Sequence, residues 1–423
     1  MGLTHAAAPE YDAAVGWAFD TARLRGTAMA SVCFYFQVHQ PHRLRRYSVF
    51  DSDPFYFDAD RNGAILKKVA DKCYLPATRL MLDLVRKHQG RFRVAYSITG
   101  VAVEQFREHC PAFIDLIREL VKTGCCELLG ETYYHSLSFL YSRDEFRQQI
   151  DLHHQLMEET FGYTPRVFRD TELIYNNELA HFVGGLGRYK GVIAEGADHI
   201  LGYRSPAYSY HAPGLPHLAL LLKNYRLSDD VAFRFSNRGW KEWPLTAEKF
   251  ANWVHQINGD GYMCNLFMDY ETFGEHQWAD TGIFEFLGAL PDKVLERGDD
   301  FKTPSQCIDA YQSVGEYDVP HMISWADTER DLSAWLGNAM QSNALHELYK
   351  LEPIIKASKD AHVISDWRKL TTSDHFYYMC TKYFADGDVH KYFNPYESPY
   401  DSYINFMNVL DNIRVRAEAA ASA

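Results

Sequence analysis

Ser31-Val-Cys-Phe-Tyr-Phe36, running on through Gln37-Val-His39-Gln40-Pro41-His42, is an apolar strand that ends in a cluster of polar side chains. The arrangement recurs along the chain. Short runs rich in Val, Ile, Phe, Tyr or Cys at 30–38, 91–98, 125–130, 165–170, 190–194 and 262–268 read as strands. Longer amphipathic segments separate them. Phe113, Leu116, Ile117, Leu120 and Val121 fall at i, i+3, i+4, i+7 and i+8, with Gly124 at the C-cap position of a helix. Ser142-Arg-Asp-Glu145 is a capping box that opens a helix ending near Gly162, before Pro165. Another helix runs from about Ala247 to Ile257. Strands alternating with helices predict an α/β fold on parallel strands, either a β/α barrel or a doubly wound sheet.

From about Leu332 the pattern turns helical, with Trp335, Met340, Leu345, Leu348 and Tyr349 as its apolar or aromatic positions. Gly387, Pro395 and Pro399 interrupt it before a last helix near 402–417. The expected organisation is a β/α barrel over 29–320 and a mostly helical region over 321–423. Residues 1–28 lack the basic start and continuous apolar core of a signal peptide. They read as an extension, or the product of an early start codon, ahead of the folded unit.

Composition narrows the partners. The chain has 423 residues, 47% hydrophobic and 23% charged, which fits a folded protein and not a disordered one. Its 43 Lys+Arg against 56 Asp+Glu leave a net charge of −13, which repels phosphate backbones and argues against nucleic acid as a partner. The longest apolar stretches, such as Leu218–Leu222, fall far short of a membrane span. Aromatics reach 15%, and rigid amphipathic rings suit flat, partly apolar ligands such as sugars as well as a packed core. Eight cysteines without a CxxC pair or a regular framework read as free thiols and place the chain in the reducing cytoplasm.

Polar residues follow several strands. After the first come His39, Gln40 and His42; Glu127-Leu-Leu-Gly-Glu131-Thr-Tyr-Tyr-His135 spans the third. Phe168-Arg-Asp-Thr-Glu172 follows the fourth, and Asp269-Tyr-Glu271-Thr-Phe-Gly-Glu275-His276 the sixth. In parallel β/α folds the carboxyl ends of the strands form the active face, so these clusters would converge on one mouth. Carboxylates dominate them. Two carboxyl groups can divide glycoside cleavage: one protonates the leaving oxygen while the other attacks or activates water. Glu172 and Asp269 occupy equivalent strand ends and are the candidates. A divalent metal held by His39, His42, His135 and Asp269 is a competing arrangement, but Pro41 breaks the helical spacing of a zinc-type histidine pair. Gly184-Gly-Leu-Gly187 lacks the phosphate-loop pattern and reads as a helix terminus, and no GxSxG elbow supports serine catalysis.

At these residues the sequence resembles glycoside hydrolase family 57. Five blocks stand in family order: His39-Gln-Pro41, Glu127 to His135, Phe168-Arg-Asp-Thr-Glu172-Leu-Ile-Tyr, Asp269-Tyr-Glu271-Thr-Phe-Gly, and Ser324-Trp325-Ala-Asp327-Thr-Glu-Arg-Asp331. The resemblance implies a (β/α)7 pseudo-barrel followed by a helical region that helps close the substrate cleft. It implies a retaining mechanism on α-1,4-glucans or maltodextrins, with Glu172 as nucleophile and Asp269 as general acid/base. His39, Gln40, Glu127, Glu131, His135, Glu271 and Asp327 would hold the sugar, and Trp278 and Trp325 would offer ring faces to it. No cofactor and no metal is implied. Phe168 stands where several members have Trp. The Glu-Thr-Tyr-Tyr-His and Thr-Glu-Leu-Ile-Tyr strings and the short chain look most like the family's compact α-amylase group. A 4-α-glucanotransferase or branching enzyme with the same two carboxylates is the alternative, and a silent glucan-binding homologue another.

Overall fold

The computed structural model describes residues 29–382 and 394–422. The expected extension over 1–28 and the interruption at Gly387 lie outside those residues. Among the described residues nine strands form two sheets. In the first, β1 (Ser31–Val38) runs parallel to β2 (Val94–Ile98) on one side and β8 (Met263–Asp269) on the other, and β3 (Cys126–Leu128) extends it beyond β2. A short β9 (Asp300–Phe301) pairs with Ser31 and Val32, ahead of the stretch that β2 takes from Tyr35 onward. The second sheet has the order β4 (Val167–Arg169), β5 (Gly191–Glu195), β7 (Ala219–Lys223), β6 (Ser209–His211), parallel except for β6 against β7.

The sheets meet at two seams. Gly130, just past β3, donates its N–H to the Val167 carbonyl at 2.9 Å, and its carbonyl accepts from Arg169 N–H at 2.8 Å. At the other edge Asn224 N–H donates to the Asn265 carbonyl at 2.9 Å, and Asn265 Nδ2 donates to the Leu222 carbonyl at 2.8 Å.

All eight residues of β1 are buried, as a parallel strand covered on both faces requires. Alternate side chains serve different cores. Val32, Phe34, Phe36 and Val38 pack outward against helices Ala59–Val69, Leu75–Lys87 and Pro111–Lys122. Cys33 and Tyr35 point the other way, into a cluster with Ala95, Val167, Ile193, Leu221 and Phe267, which come from five other strands. The period of two thus separates an inner core from an outer one.

The expected helices form. Pro111–Lys122 buries Phe113, Ile117 and Leu120, and Gly124 beyond it takes φ +71°. In Arg143–Phe161 the Ser142 hydroxyl accepts from Glu145 N–H, and Gly162 ends the helix in the left-handed conformation that glycine tolerates. Gly184-Gly-Leu-Gly187 is the end of helix Asn177–Gly185. From Ser333 onward the described residues are mostly helical, ending in Pro399–Ser422, and Trp335, Leu345, Leu348 and Trp367 share a core with Leu44, Tyr47 and Tyr56 from the loop after β1. Three strands escape the sequence reading: β6, β7 and β9. The run Leu218–Leu222, weighed above only against membrane length, is mostly β7. Among the described residues no helix is long and apolar enough to cross a membrane.

Candidate active site

Glu172 stands in a tight turn, Thr171–Leu173, directly after β4. Glu172 and Leu173 have φ of +59° and +51°, a conformation that costs residues with side chains about 1–3 kcal/mol each. The turn is held by Leu173 N–H on the Asp170 carbonyl at 3.0 Å and by burial of the Leu173 side chain in the inner core. This geometry turns the carboxylate into a cavity at the strand ends. Its two oxygens are met from three directions: Trp325 Nε1–H donates to Oε2 at 2.7 Å, His135 Nε2 lies 3.2 Å from Oε1, and the Ser373 hydroxyl donates to Oε1 at 3.1 Å. Burial by itself would raise the carboxyl. The bond and charge of His135, the Arg169 guanidinium and the indole N–H outweigh it and hold Glu172 down, to about 2.

Asp269 is the last residue of β8, in register with Gln37 of β1, and lines the same cavity. Burial pushes it up, and the charge of Glu172 pushes it further, to about 6, against the lowering pull of Arg169, Lys223 and His135. Two carboxyls facing one cavity are therefore split, one ionised and one inclined to hold its proton. Glu271, two residues on, rises to about 8 through burial and the charge of Asp269; the Tyr74 hydroxyl bonds to it and Gln40 Nε2 donates to it at 3.4 Å. The Tyr74 position owes something to a π-helical turn, Ala70–Tyr74, between the two helices of 59–87.

The imidazoles of His39 and His135 stack with centroids 4.0 Å apart and planes 21° from parallel. His39 bonds to Thr99 Oγ1 and to Asp374 Oδ2, each at 2.9 Å. His42 turns elsewhere, to Glu104 at 3.1 Å. Among the described residues no group of three His, Cys, Asp or Glu is placed to hold a metal ion.

Of the residues singled out in the sequence, His39, Gln40, His135 and Glu172 line the cavity, as do Asp269, Glu271, Trp325 and Asp327. Glu131 does not, but its carboxylate lies 3.4 Å from His135 Nδ1. Two other residues expected to bind sugar lie farther from the cavity. Glu127 sits within β3, paired with Ala95, and its carboxylate accepts from Ser305 N–H at 2.9 Å and Ser305 Oγ at 2.6 Å. It thereby serves the first turn of helix Pro304–Ala310, away from the cavity. Trp278 is 56% exposed on the surface, with Lys72 Nζ 5.4 Å from its ring centre, and does not line the cavity.

Sequence reasoning missed Arg169, Lys223, Asp229, Arg330, Ser373 and Asp374. Arg169 is fully buried, with its guanidinium carbon 5.3 Å from the Trp325 ring centre. Lys223 closes β7 and reaches Asp229 at 3.4 Å and Glu195 at 3.9 Å. Its signal was a strand ending in a charge, the same signal that marked the other sites.

Comparison with known proteins agrees with this geometry. Residues 33–320 match Glycosyl hydrolase family 57. A Methanocaldococcus jannaschii protein named "Putative alpha-amylase" is 43% identical over 394 residues, covering 90% of this chain and 83% of its own. Among solved structures, a branching enzyme of Pyrococcus horikoshii superposes with TM-score 0.64 at 16% identity, over 90% of this chain and 88% of its own. An alpha-amylase of Thermotoga maritima does so with TM-score 0.58 at 14% identity, over 93% and 97%. The chain spans 56% of the length of a Thermococcus litoralis 4-alpha-glucanotransferase, with TM-score 0.60 at 14% identity over 82% of this chain. With the family matched across most of its length and its two strand-end carboxyls facing one cavity, this chain belongs to glycosyl hydrolase family 57.

Proposed function

We propose that the protein is a retaining glycosidase that cleaves α-1,4-glucosidic bonds of α-glucans or maltodextrins. Glu172 attacks the anomeric carbon as Asp269 gives its proton to the departing glycosidic oxygen, leaving a glycosyl ester on Glu172. Asp269 then takes a proton from water, whose oxygen displaces Glu172 and restores the anomeric configuration. The observation that carries this reading is the opposite tuning of the two carboxyls in one cavity, Glu172 held down and Asp269 pushed up. His39, Gln40, Glu271 and Asp327 are the hydroxyl-binding groups of that cavity.

The scaffold is, in this reading, a (β/α)7 pseudo-barrel in the order β8-β1-β2-β3-β4-β5-β7, supported by the two seams and by an inner core drawn from six strands. Residues 29–320 form the catalytic unit. The region 321–423 helps close the cleft, to which it supplies Trp335, Asp374 and Tyr377. The eight buried, unpaired thiols suit a reducing, cytoplasmic setting.

The test is the product profile from maltoheptaose for wild type and Glu172→Gln side by side. Shorter oligosaccharides with new reducing ends, absent in the variant, support the proposal. Products longer than the substrate without a matching rise in reducing ends would replace it with a glycosyl transferase. No products from either would remove the α-1,4-glucan assignment.

A further inference from the structure

Glu131 follows Gly130, the residue at the seam between the sheets, and its side chain is wholly buried. The Ser97 hydroxyl bonds to Oε1, and Gln37 Nε2 lies 3.4 and 3.5 Å from the two oxygens. Arg169 Nη1 is 3.7 Å from Oε2. His153 donates from Nε2 to the Ile98 carbonyl at 2.9 Å and faces the Glu131 N–H with Nδ1 at 3.5 Å, so it is a neutral ring. Glu131 has no place on the cavity wall, yet it stands one imidazole away from Glu172.

That imidazole, His135, has two unlike neighbours at Nδ1. Glu131 Oε2 is 3.4 Å away and Arg169 Nη1 is 3.3 Å away. A neutral ring with its proton on Nε2 would accept from Arg169. A charged ring donates from Nδ1 to Glu131 and from Nε2 to Glu172. Carboxylates at both ends favour the charged form. The stacked His39 does not oppose it when neutral: with Nε2–H donating to Asp374 and the Thr99 hydroxyl donating to Nδ1, both of its bonds are made without a charge of its own. The titratable groups around His135 are thus Glu131 on its own loop, Arg169 and Glu172 from β4 and its turn, His39 after β1 with Asp374 behind it, and Asp269 across the cavity.

We propose that Glu131 is a positioning residue for this reaction: through Nδ1 it holds His135 as an imidazolium aimed at Glu172, keeping the nucleophile ionised and oriented. The proposal rests on Glu172 being the nucleophile. No proton moves at His135. In the first step its charge keeps Glu172 available for attack; in the second it faces the carboxylate released when the glycosyl ester breaks. The shifts agree with this geometry. Burial would lower His135, but its bonds to Glu131 and Glu172 raise it to about 9, while Glu131 itself, raised by burial, is drawn down to about 2 by His135 and Arg169.

The experiment compares wild type, Glu131→Gln and His135→Gln as full chains. It reads the pH profile of kcat/KM on maltoheptaose and the protonation of the imidazole nitrogens by NMR of histidine-labelled protein, with His135 assigned by its loss in His135→Gln. In Glu131→Gln we expect kcat to fall roughly 10- to 100-fold with KM little changed, the range of a lost charge-assisted bond. The acidic limb of kcat/KM should rise by at least about one pH unit, since that limb reports the ionisation of Glu172 in the free enzyme. His135→Gln, which keeps an N–H donor without the charge, should raise the same limb. In the wild type both nitrogens of His135 should carry protons at pH 7. A bare Nδ1 in the wild type, or a folded Glu131→Gln with the wild-type kcat and acidic limb, would overturn the proposal. If Glu131→Gln does not fold, the wild-type spectrum and the His135→Gln limb decide. Turnover retained by Glu172→Gln would instead sink the assignment of the nucleophile, an outcome separate from the NMR result.

Discussion

Trp325 is tied to Glu172 twice. Its indole Nε1–H donates to the carboxylate at 2.7 Å, and its backbone N–H donates to the Glu172 carbonyl at 3.1 Å. The side-chain bond sets where the carboxylate points; the backbone bond fixes the loop that carries Trp325 to the turn that carries Glu172. Trp325→Phe removes the first and leaves the second. A hydrogen bond to a charged group contributes about 1.5–3 kcal/mol, so kcat should fall by about 10- to 100-fold. Steady-state kinetics on maltoheptaose checks this, and a variant within a factor of two of wild type would rule out a role for the indole N–H.

The two carboxyls predict an asymmetric pH profile. In the proposed mechanism Asp269 holds its proton in the first step, and with a value pushed up to about 6, activity should decline as pH rises through that point. Glu172, held near 2, sets the acidic side far lower. The charge of Lys223 pulls Asp269 down, so Lys223→Met should move the alkaline limb of kcat/KM to higher pH. A limb that moves to lower pH would contradict the electrostatic account.

Asp170 offers a stability test apart from catalysis. Burial raises its carboxyl to about 8, against the Thr171 N–H and the charges of Arg169 and His135. In the unfolded chain such a carboxyl releases its proton near pH 4. Between those values the folded state holds one proton more than the unfolded state. Stability from this group therefore falls as pH rises, by about 1.4 kcal/mol per pH unit at most. Asp170→Asn should show a shallower decline in urea midpoint from pH 5 to pH 8 than wild type. Parallel declines would mean that Asp170 is already ionised in the folded protein.

Glu145 links the helix at 143–161 to the C-terminal helices. It is fully buried and meets Arg368 at 2.8 and 3.2 Å, Lys356 at 2.9 Å and Gln149 at 3.0 Å. Glu145→Ala leaves the Arg368 guanidinium with only Gln148, and Lys356 with only Glu352, and should cost about 3 kcal/mol in urea unfolding. A loss under about 1 kcal/mol would show that water compensates the cations, as it does for exposed pairs.

Strands and strand-end carboxyls were legible because each is a local pattern: an apolar run of four to eight residues, then a polar cluster. Two kinds of fact were not local. Glu127 and Glu131 lie four residues apart in one polar string, but β3 ends at Leu128. Glu127 therefore stays within the strand and turns to Ser305, while Glu131 emerges beneath the cavity. A one-dimensional reading cannot tell where a three-residue strand stops. Ser373 and Asp374 reach the site from a helix whose own sequence shows only a helical pattern, and their role follows from tertiary docking alone. β7 was hidden for another reason: a leucine run carries no turn signal of its own.

The bond between His39 and Asp374 joins residues 335 positions apart. During synthesis at about 5–20 residues per second, the first imidazole of the site waits roughly 17–70 seconds for its partner to be made. Until then the strand-end cavity lacks one wall, and Glu172 lacks the Ser373 hydroxyl. A chain stopped short of these helices would carry both carboxyls, with His135 and Trp325 beside Glu172, but not Ser373 or Asp374. Under the proposed mechanism the complete site would then form only when the helix carrying Ser373 and Asp374 docks, so the onset of full activity would report that docking.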